Sequence, residues 1–176
     1  QMESQKKKLE EQLKSLSDES RKDDLITFEE LGVDSIMVDE AHNFKNISIE
    51  TKHGSLPGLN PKGSKKCDDL MAKLRYIQRT HDGRGAVFAT GTPITNSVSD
   101  MYTMQRYLGY EHMDELNLLE FDNWVKMFSE VTEEFEVEAN GIGYRLRRRL
   151  SRYYNLPELS LLFSDIADLY FTPEDD

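Results

Sequence analysis

Two short apolar runs, each closed by a polar signature, constrain this chain more than any other feature. Ile36-Met37-Val38 leads straight into Asp39-Glu40-Ala41-His42, and about fifty residues later Ala86-Val87-Phe88-Ala89 leads into Thr90-Gly91-Thr92-Pro93. Unbroken apolar runs this short are what strands buried on both faces of a parallel sheet require. The pattern predicts strands over residues 35–39 and 86–89. Between them, Leu70, Leu74 and Ile77 share one face of a helix predicted over 67–79, which Gly83 and Gly85 separate from the second strand. After Pro93, Ser97 stands three residues before Asp100 as an approximate capping box. Val98, Met101, Gln105 and Leu108 then recur at helical spacing until Gly109 stops the helix. Strand, helix, strand, helix is the signature of an α/β parallel sheet with flanking helices.

The rest of the chain divides around that unit. Residues 3–20 read as an exposed helix, with Leu9, Leu13 and Leu16 as a narrow stripe, so residues 1–22 form an N-terminal arm. Residues 46–66, rich in Gly, Pro, Ser and Lys, read as a long loop. Residues 111–176 read as an α+β appendage to the 23–110 unit. There, Phe121, Trp124, Val125 and Phe128 define an amphipathic helix, and alternation over 134–138 and 142–146 around Asn140-Gly141 predicts a β-hairpin. A last helix begins near Pro157 and buries Leu159, Leu162, Phe163, Ile166 and Tyr170.

With 176 residues, 38% hydrophobic and 31% charged, the chain reads as soluble, and it has no run near the roughly 18 apolar residues of a membrane span. A single cysteine, Cys67, excludes an internal disulfide and fits a reducing cytoplasm. The four histidines, His42, His53, His81 and His112, lack metal-ligand spacing, which argues against a metal-dependent hydrolase built on Asp39, Glu40 and a histidine. A net charge of −11 opposes phosphate binding, except through local basic stripes acting within about 8 Å. Two stripes exist: Lys62, Lys65 and Lys66, and the cluster Arg145, Arg147, Arg148, Arg149 and Arg152. Each reads either as a nucleic-acid contact or as solvated surface charge.

Together the two motifs resemble motifs II and III of a superfamily 2 helicase-type ATPase. The first continues as Asn43-Phe44-Lys45-Asn46, and D-E-A-H-x-x-K-N is similar to the Swi/Snf-type branch, the double-stranded-DNA translocases. The second continues as Ile94-Thr95-Asn96 and then Tyr107-Leu108, similar to that branch's T-G-T-P-x-x-N and following helix; Asp100 stands where the branch commonly has Glu. Residues 26–34, 83–90 and 154–159 further resemble the large helicase–adenine-methylase fusion proteins of bacterial mobile elements and phages.

That resemblance implies a partial RecA-like (P-loop NTPase) sheet and a set of roles. Asp39 would hold Mg²⁺ through water, and Glu40 would polarise the water attacking the γ-phosphate of ATP. His42 would couple this site to Thr90, Gly91 and Thr92. Lys45, Asn46, Lys65, Lys66, Arg145, Arg147, Arg148 and Arg149 are the candidate contacts to double-stranded DNA. The phosphate-binding loop G-x-x-x-x-G-K-[ST] is missing. Gly58 to Gly63 has the spacing, but continues as Ser64-Lys65-Lys66 and follows motif II rather than preceding it.

The chain is therefore expected to be a piece of a first motor lobe whose remaining lobes lie on the same polypeptide. Alone it is expected to have no ATP turnover. The missing strand would lie beside the motif III strand, leaving an edge prone to self-association or to cover by the N-terminal helix. The alternative function is a DNA-contacting or protein-docking module without catalysis of its own.

Overall fold

The computed structural model describes residues 26–53, 56, 61–94, 99–137 and 143–170. The helix expected over 3–20, the pair Ser97 and Val98, and the Asn140-Gly141 turn lie outside them. The chain divides into two compact units, residues 1–33 and 34–176. In the first, the described residues form a turn closed by a capping box: Thr27 N donates to Glu30 Oε2 at 2.8 Å and Glu30 N to Thr27 Oγ1 at 3.4 Å.

The second unit is mixed α/β, with one small parallel and one antiparallel sheet. Strand β1 (Ile36–Val38) pairs in parallel with β2 (Ala86–Phe88), Met37 opposite Val87. Helix α1 (Lys65–Thr80) crosses between them, and α2 (Ser99–Leu108) follows β2. The short α3 (Tyr110–Glu115) comes next, then α4 (Phe121–Phe128), the hairpin β3 (Ser129–Val137) and β4 (Tyr144–Tyr153), and α5 (Leu156–Ser164).

Both parallel strands are shorter than expected, and they are not buried on both faces. Met37 is 79% exposed and Val87 53%, so among the described residues this face of the strand pair stays uncovered. The crossover is tight where β2 begins. Gly85 has φ +101°, and a Cβ there would strike Ile77 Cγ2 and lie 2.7 Å from Asp34 O. Only glycine satisfies both demands.

The core is built around α2, which buries eight of its ten residues and therefore sits inside the unit rather than on its surface. Leu70 and Leu74 of α1 join its hydrophobic cluster on one side, and Ile77, on the same helix face, is fully buried. Phe121, Trp124, Val125 and Phe128 of α4 meet it on the other, and the indole Nε1 of Trp124 donates to Gln105 Oε1 at 3.0 Å. Tyr102, Phe121, Trp124 and Phe128 form an aromatic cluster with neighbouring centroids 5.0 to 6.2 Å apart. A single hydrophobic cluster thus takes residues from both sides of position 110.

Several elements depart from their expected form. The loop over 46–66 sends Ile47, Ile49 and Leu56 into the core, and its last two residues, Lys65 and Lys66, open α1 instead. Gly63, at φ +62°, lies so close to the Ser48 backbone that no side chain fits, so the Gly58–Gly63 spacing has at that end a purely local cause. The hairpin strands extend well beyond the alternating segments, back to Ser129 and on to Tyr153. Their base is tied to α4: Tyr154 N donates to Phe128 O at 3.0 Å, and its hydroxyl to Ser129 O at 2.6 Å. The last helix buries Leu159 and Phe163, but it ends at Ser164 and leaves Tyr170 89% exposed, contrary to its expected burial.

The segment over 51–53 is fixed to the start of α4 by Asp122. Its carboxylate accepts from Thr51 Oγ1 at 2.6 Å and Lys52 N at 3.0 Å, with His53 Nε2 at 3.8 Å. Burial pushes this acid up, but the two hydrogen bonds and the His53 and Lys52 charges outweigh it and hold it below the ordinary aspartate range. A depressed folded value means that the stabilisation is present at neutral pH and lost as pH falls through the folded value. Asp122→Ala should cost about 1.5–3 kcal/mol near pH 7, and urea titrations of the two proteins should converge below pH ~4. A difference that persists undiminished at low pH would contradict this.

Candidate functional site

The carboxyl ends of β1 and β2 lie side by side, and the backbone itself joins the two motifs behind them. Ala89 N donates to Val38 O at 2.8 Å, and Ala41 N donates back to Ala89 O at 3.0 Å. To make that return, the chain turns sharply at Glu40, whose φ of 51° and ψ of 46° lie in the left-handed region. A non-glycine residue there costs about 1–2 kcal/mol. The turn runs into a 3₁₀ segment, Ala41–Phe44, with Ala41 fully buried as its anchor.

Asp39 and Glu40 are left exposed at the strand end, with Glu40 N donating to Asp39 Oδ1 at 2.8 Å. His42 is half-buried between the motifs: its Nδ1 lies 3.1 Å from Glu40 Oε2 and 3.2 Å from Thr90 Oγ1. Protonation of this nitrogen selects the partner. As N–H it donates to the Glu40 carboxylate; bare, it accepts from the Thr90 hydroxyl. Thr90 Oγ1 also accepts from Thr92 N at 3.1 Å, which folds Thr90-Gly91-Thr92 into a compact turn with Gly91 in open space. Glu40, His42, Thr90 and Thr92 therefore form one connected chain of contacts.

The residues expected to touch DNA are placed variously. Lys45 turns inward: its Nζ donates to Thr92 O at 2.8 Å and pairs with Asp100 Oδ2 at 3.2 Å, with both side chains about 10% exposed. Asn46 is exposed and its carbonyl accepts from Ser64 N at 2.8 Å. Lys65 and Lys66 are exposed on the first turn of α1, with Lys66 Nζ 5.0 Å from the Phe44 ring centroid. Arg148 binds Glu133 at 2.7 Å, Arg149 pairs with Glu136, and Arg152 lies 3.9 Å from Glu130. In the strand register Arg145 stands opposite Glu136 and Arg147 opposite Glu134. The basic strand thus faces an acidic one of matching spacing.

Tyr107 was not among the candidates, yet it braces the site from behind. Its hydroxyl lies 3.1 Å from Phe44 O and 3.0 Å from Cys67 O, tying the end of the motif II turn to α1. Its ring packs on Phe88 at the end of β2. Burial, reinforced by the Cys67 thiol, drives the phenol far above its usual range, so it serves as a fixed neutral donor. The aromatic-Leu ending of the α2 pattern was the one sequence signal pointing to it.

Beyond β2 lies a groove of about 450 Å³, lined by Val87, Phe88, Thr90, Met104, Phe163 and Ile166 among others. Gly85 and Ala89 hydrogen-bond to β1, so by the alternation of a parallel ladder Ala86 and Phe88 direct their N–H and C=O groups toward this groove. Among the described residues no three His, Cys, Asp or Glu side chains meet as a metal cage. One exposed aspartate beside a second carboxylate does fit magnesium, which keeps most of its waters and takes few protein ligands.

Among the described residues, no helix is long and apolar enough to cross a membrane. The "Defense against restriction protein B" of Escherichia phage P1 is 29% identical over 117 residues, 65% of this chain and 5% of that protein. The "DNA repair protein RAD5" of Gibberella zeae is 33% identical over 76 residues, 43% of this chain and again 5% of the relative. The matched stretch is thus a small part of much longer proteins. No solved structure matches. The family described as "Probable helicase domain" matches residues 1–171, and the chain belongs to that family.

Proposed function

We propose that this chain carries the hydrolysis and coupling half of the nucleotide site of an ATP-dependent DNA motor, of the Swi/Snf type within superfamily 2. The observation that carries the reading is the His42–Thr90 contact: two distant motifs meet at adjacent parallel strand ends, with a carboxylate pair exposed beside them. Asp39 would hold hydrated Mg²⁺, which when bound neutralises charge developing on the transferred phosphoryl group. Glu40 orients a water at the strand end, and His42 senses whether that carboxylate or the Thr90 hydroxyl claims it. Lys45, Thr92 and Asp100 hold the coupling turn.

The outward N–H and C=O groups of Ala86 and Phe88 suit a further strand beside β2, and we assign the groove there to a segment of a longer polypeptide that brings the phosphate-binding loop. In the isolated chain a second copy would compete for that edge. The methylase-fused subgroup and a cytoplasmic location belong to the same proposal. The docking or DNA-contact alternative is less favoured, because the described arginines of the cluster already face glutamates.

The test compares ATP turnover of the 176-residue chain with that of the longer polypeptide containing it, with and without duplex DNA. The expected result is none for the chain and DNA-stimulated turnover for the longer protein. A longer protein with an intact phosphate loop that binds DNA but never hydrolyses ATP would end the reading.

A further inference from the structure

We infer that Lys45 is a positioning residue, not a nucleic-acid contact: with Asp100 it latches the Thr90–Thr92 turn to the start of α2 and so sets the Thr90 hydroxyl against His42. The inference deepens the proposed nucleotide site and rests on that reading for its function, though not for its geometry. The ammonium leaves the 3₁₀ turn behind the acidic motif, enters a largely buried place, and finds two acceptors there. One is the Thr92 carbonyl at 2.8 Å, and the other is the Asp100 carboxylate at 3.2 Å on the first turn of α2. A phosphate would have to draw this charge off a carboxylate with which it is already desolvated.

Burying such a pair adds little net stability, because desolvation offsets attraction; what it supplies is a fixed geometry. That geometry matters here because it joins the turn to a helix. A Cβ added at Gly91 would meet open space, and Thr92 N donates to Thr90 Oγ1 within the turn. Among the described residues, Lys45 ties the turn's Thr92 carbonyl to Asp100 on α2. With the latch closed, Thr90 Oγ1 stays 3.2 Å from His42 Nδ1 and α2 moves with the turn. With it open, His42 keeps Glu40 alone.

The readout is the His42 imidazole ¹⁵N spectrum of the 176-residue chain at one fixed pH, which needs neither nucleotide nor DNA. Lys45→Met and Asp100→Asn should each lose the Thr90-bonded signature of Nδ1 and move to the same new position, and Lys45→Arg should restore it. Slow exchange of the Ala41 and Ala89 amides, retained in every variant, would show that the paired strands are intact. Should the single variants fail to fold, the apolar pair Lys45→Met/Asp100→Leu removes both buried charges together and should show the same loss. An unchanged His42 spectrum in any folded variant lacking the ion pair overturns the latch. So does a Lys45→Met change that lowers duplex-DNA affinity while His42 stays as it was. A shifted His42 spectrum, alongside a parent protein without ATP turnover, would keep the latch and remove the nucleotide reading.

Discussion

Glu40→Gln, placed in the longer polypeptide, should lower ATP turnover about 10²- to 10⁴-fold, the range for removing a positioned general base. The substitution is nearly isosteric and the side chain is exposed, so folding should be unaffected. Glutamine also retains an oxygen near His42, so the Glu40–His42–Thr90 arrangement should survive while the negative charge proposed to polarise water does not. Nucleotide binding should therefore persist, and the loss should fall on kcat with KM little changed. An Asp39→Asn protein should instead lose Mg²⁺-dependent affinity. A Glu40→Gln enzyme with normal kcat would show that the acidic pair is an ordinary strand-end feature. Glu40→Gly makes a useful companion, since it relieves the left-handed strain while removing the same carboxylate. It should be as inactive as Glu40→Gln and more stable around the turn.

The largest effect on folding is expected at Trp124. The indole is fully buried, stacks on Phe121, meets Tyr102 edge-on, and gives its only N–H to Gln105 on α2. Trp124→Ala should destabilise the chain by about 3–5 kcal/mol, which is a large part of the stability of a typical domain. Part of that cost comes from stranding the buried Gln105 amide. Trp124→Phe, which keeps most of the volume but also strands Gln105, should fall between. Urea unfolding followed by far-ultraviolet circular dichroism measures both. If the Ala variant unfolds at the wild-type midpoint, then α4 is not part of a continuous core with α2, and the packing described above is wrong.

The sequence displayed the elements whose periodicity is local. Leu70, Leu74 and Ile77 marked α1, and Phe121, Trp124, Val125 and Phe128 marked α4, because one buried stripe is all each helix needs. The two motifs announced the strand ends because their residue types are chemically unusual behind apolar runs. What was illegible depended on distant partners. Lys45 carries no local sign that Asp100, on another helix, will draw it inward; from its motif it read as a candidate contact to DNA. Tyr107 looked like the tail of an amphipathic pattern, and only its reach to Phe44 and Cys67 makes it a brace. Ile47, Ile49 and Leu56 lie scattered in a segment without periodicity, so their burial follows from how the loop lies across α1 rather than from spacing. The glutamates that meet Arg148, Arg149 and Arg152 were illegible for the same reason: they come from the neighbouring strand.

That ribbon has one more consequence. Arg148 beside Glu133, Arg149 beside Glu136 and Arg152 near Glu130 offset one another locally, and the chain as a whole carries a surplus of eleven negative charges. An approaching duplex would meet repulsion before it met any arginine. On the proposed reading, attraction to a duplex would then come from surfaces other than this ribbon.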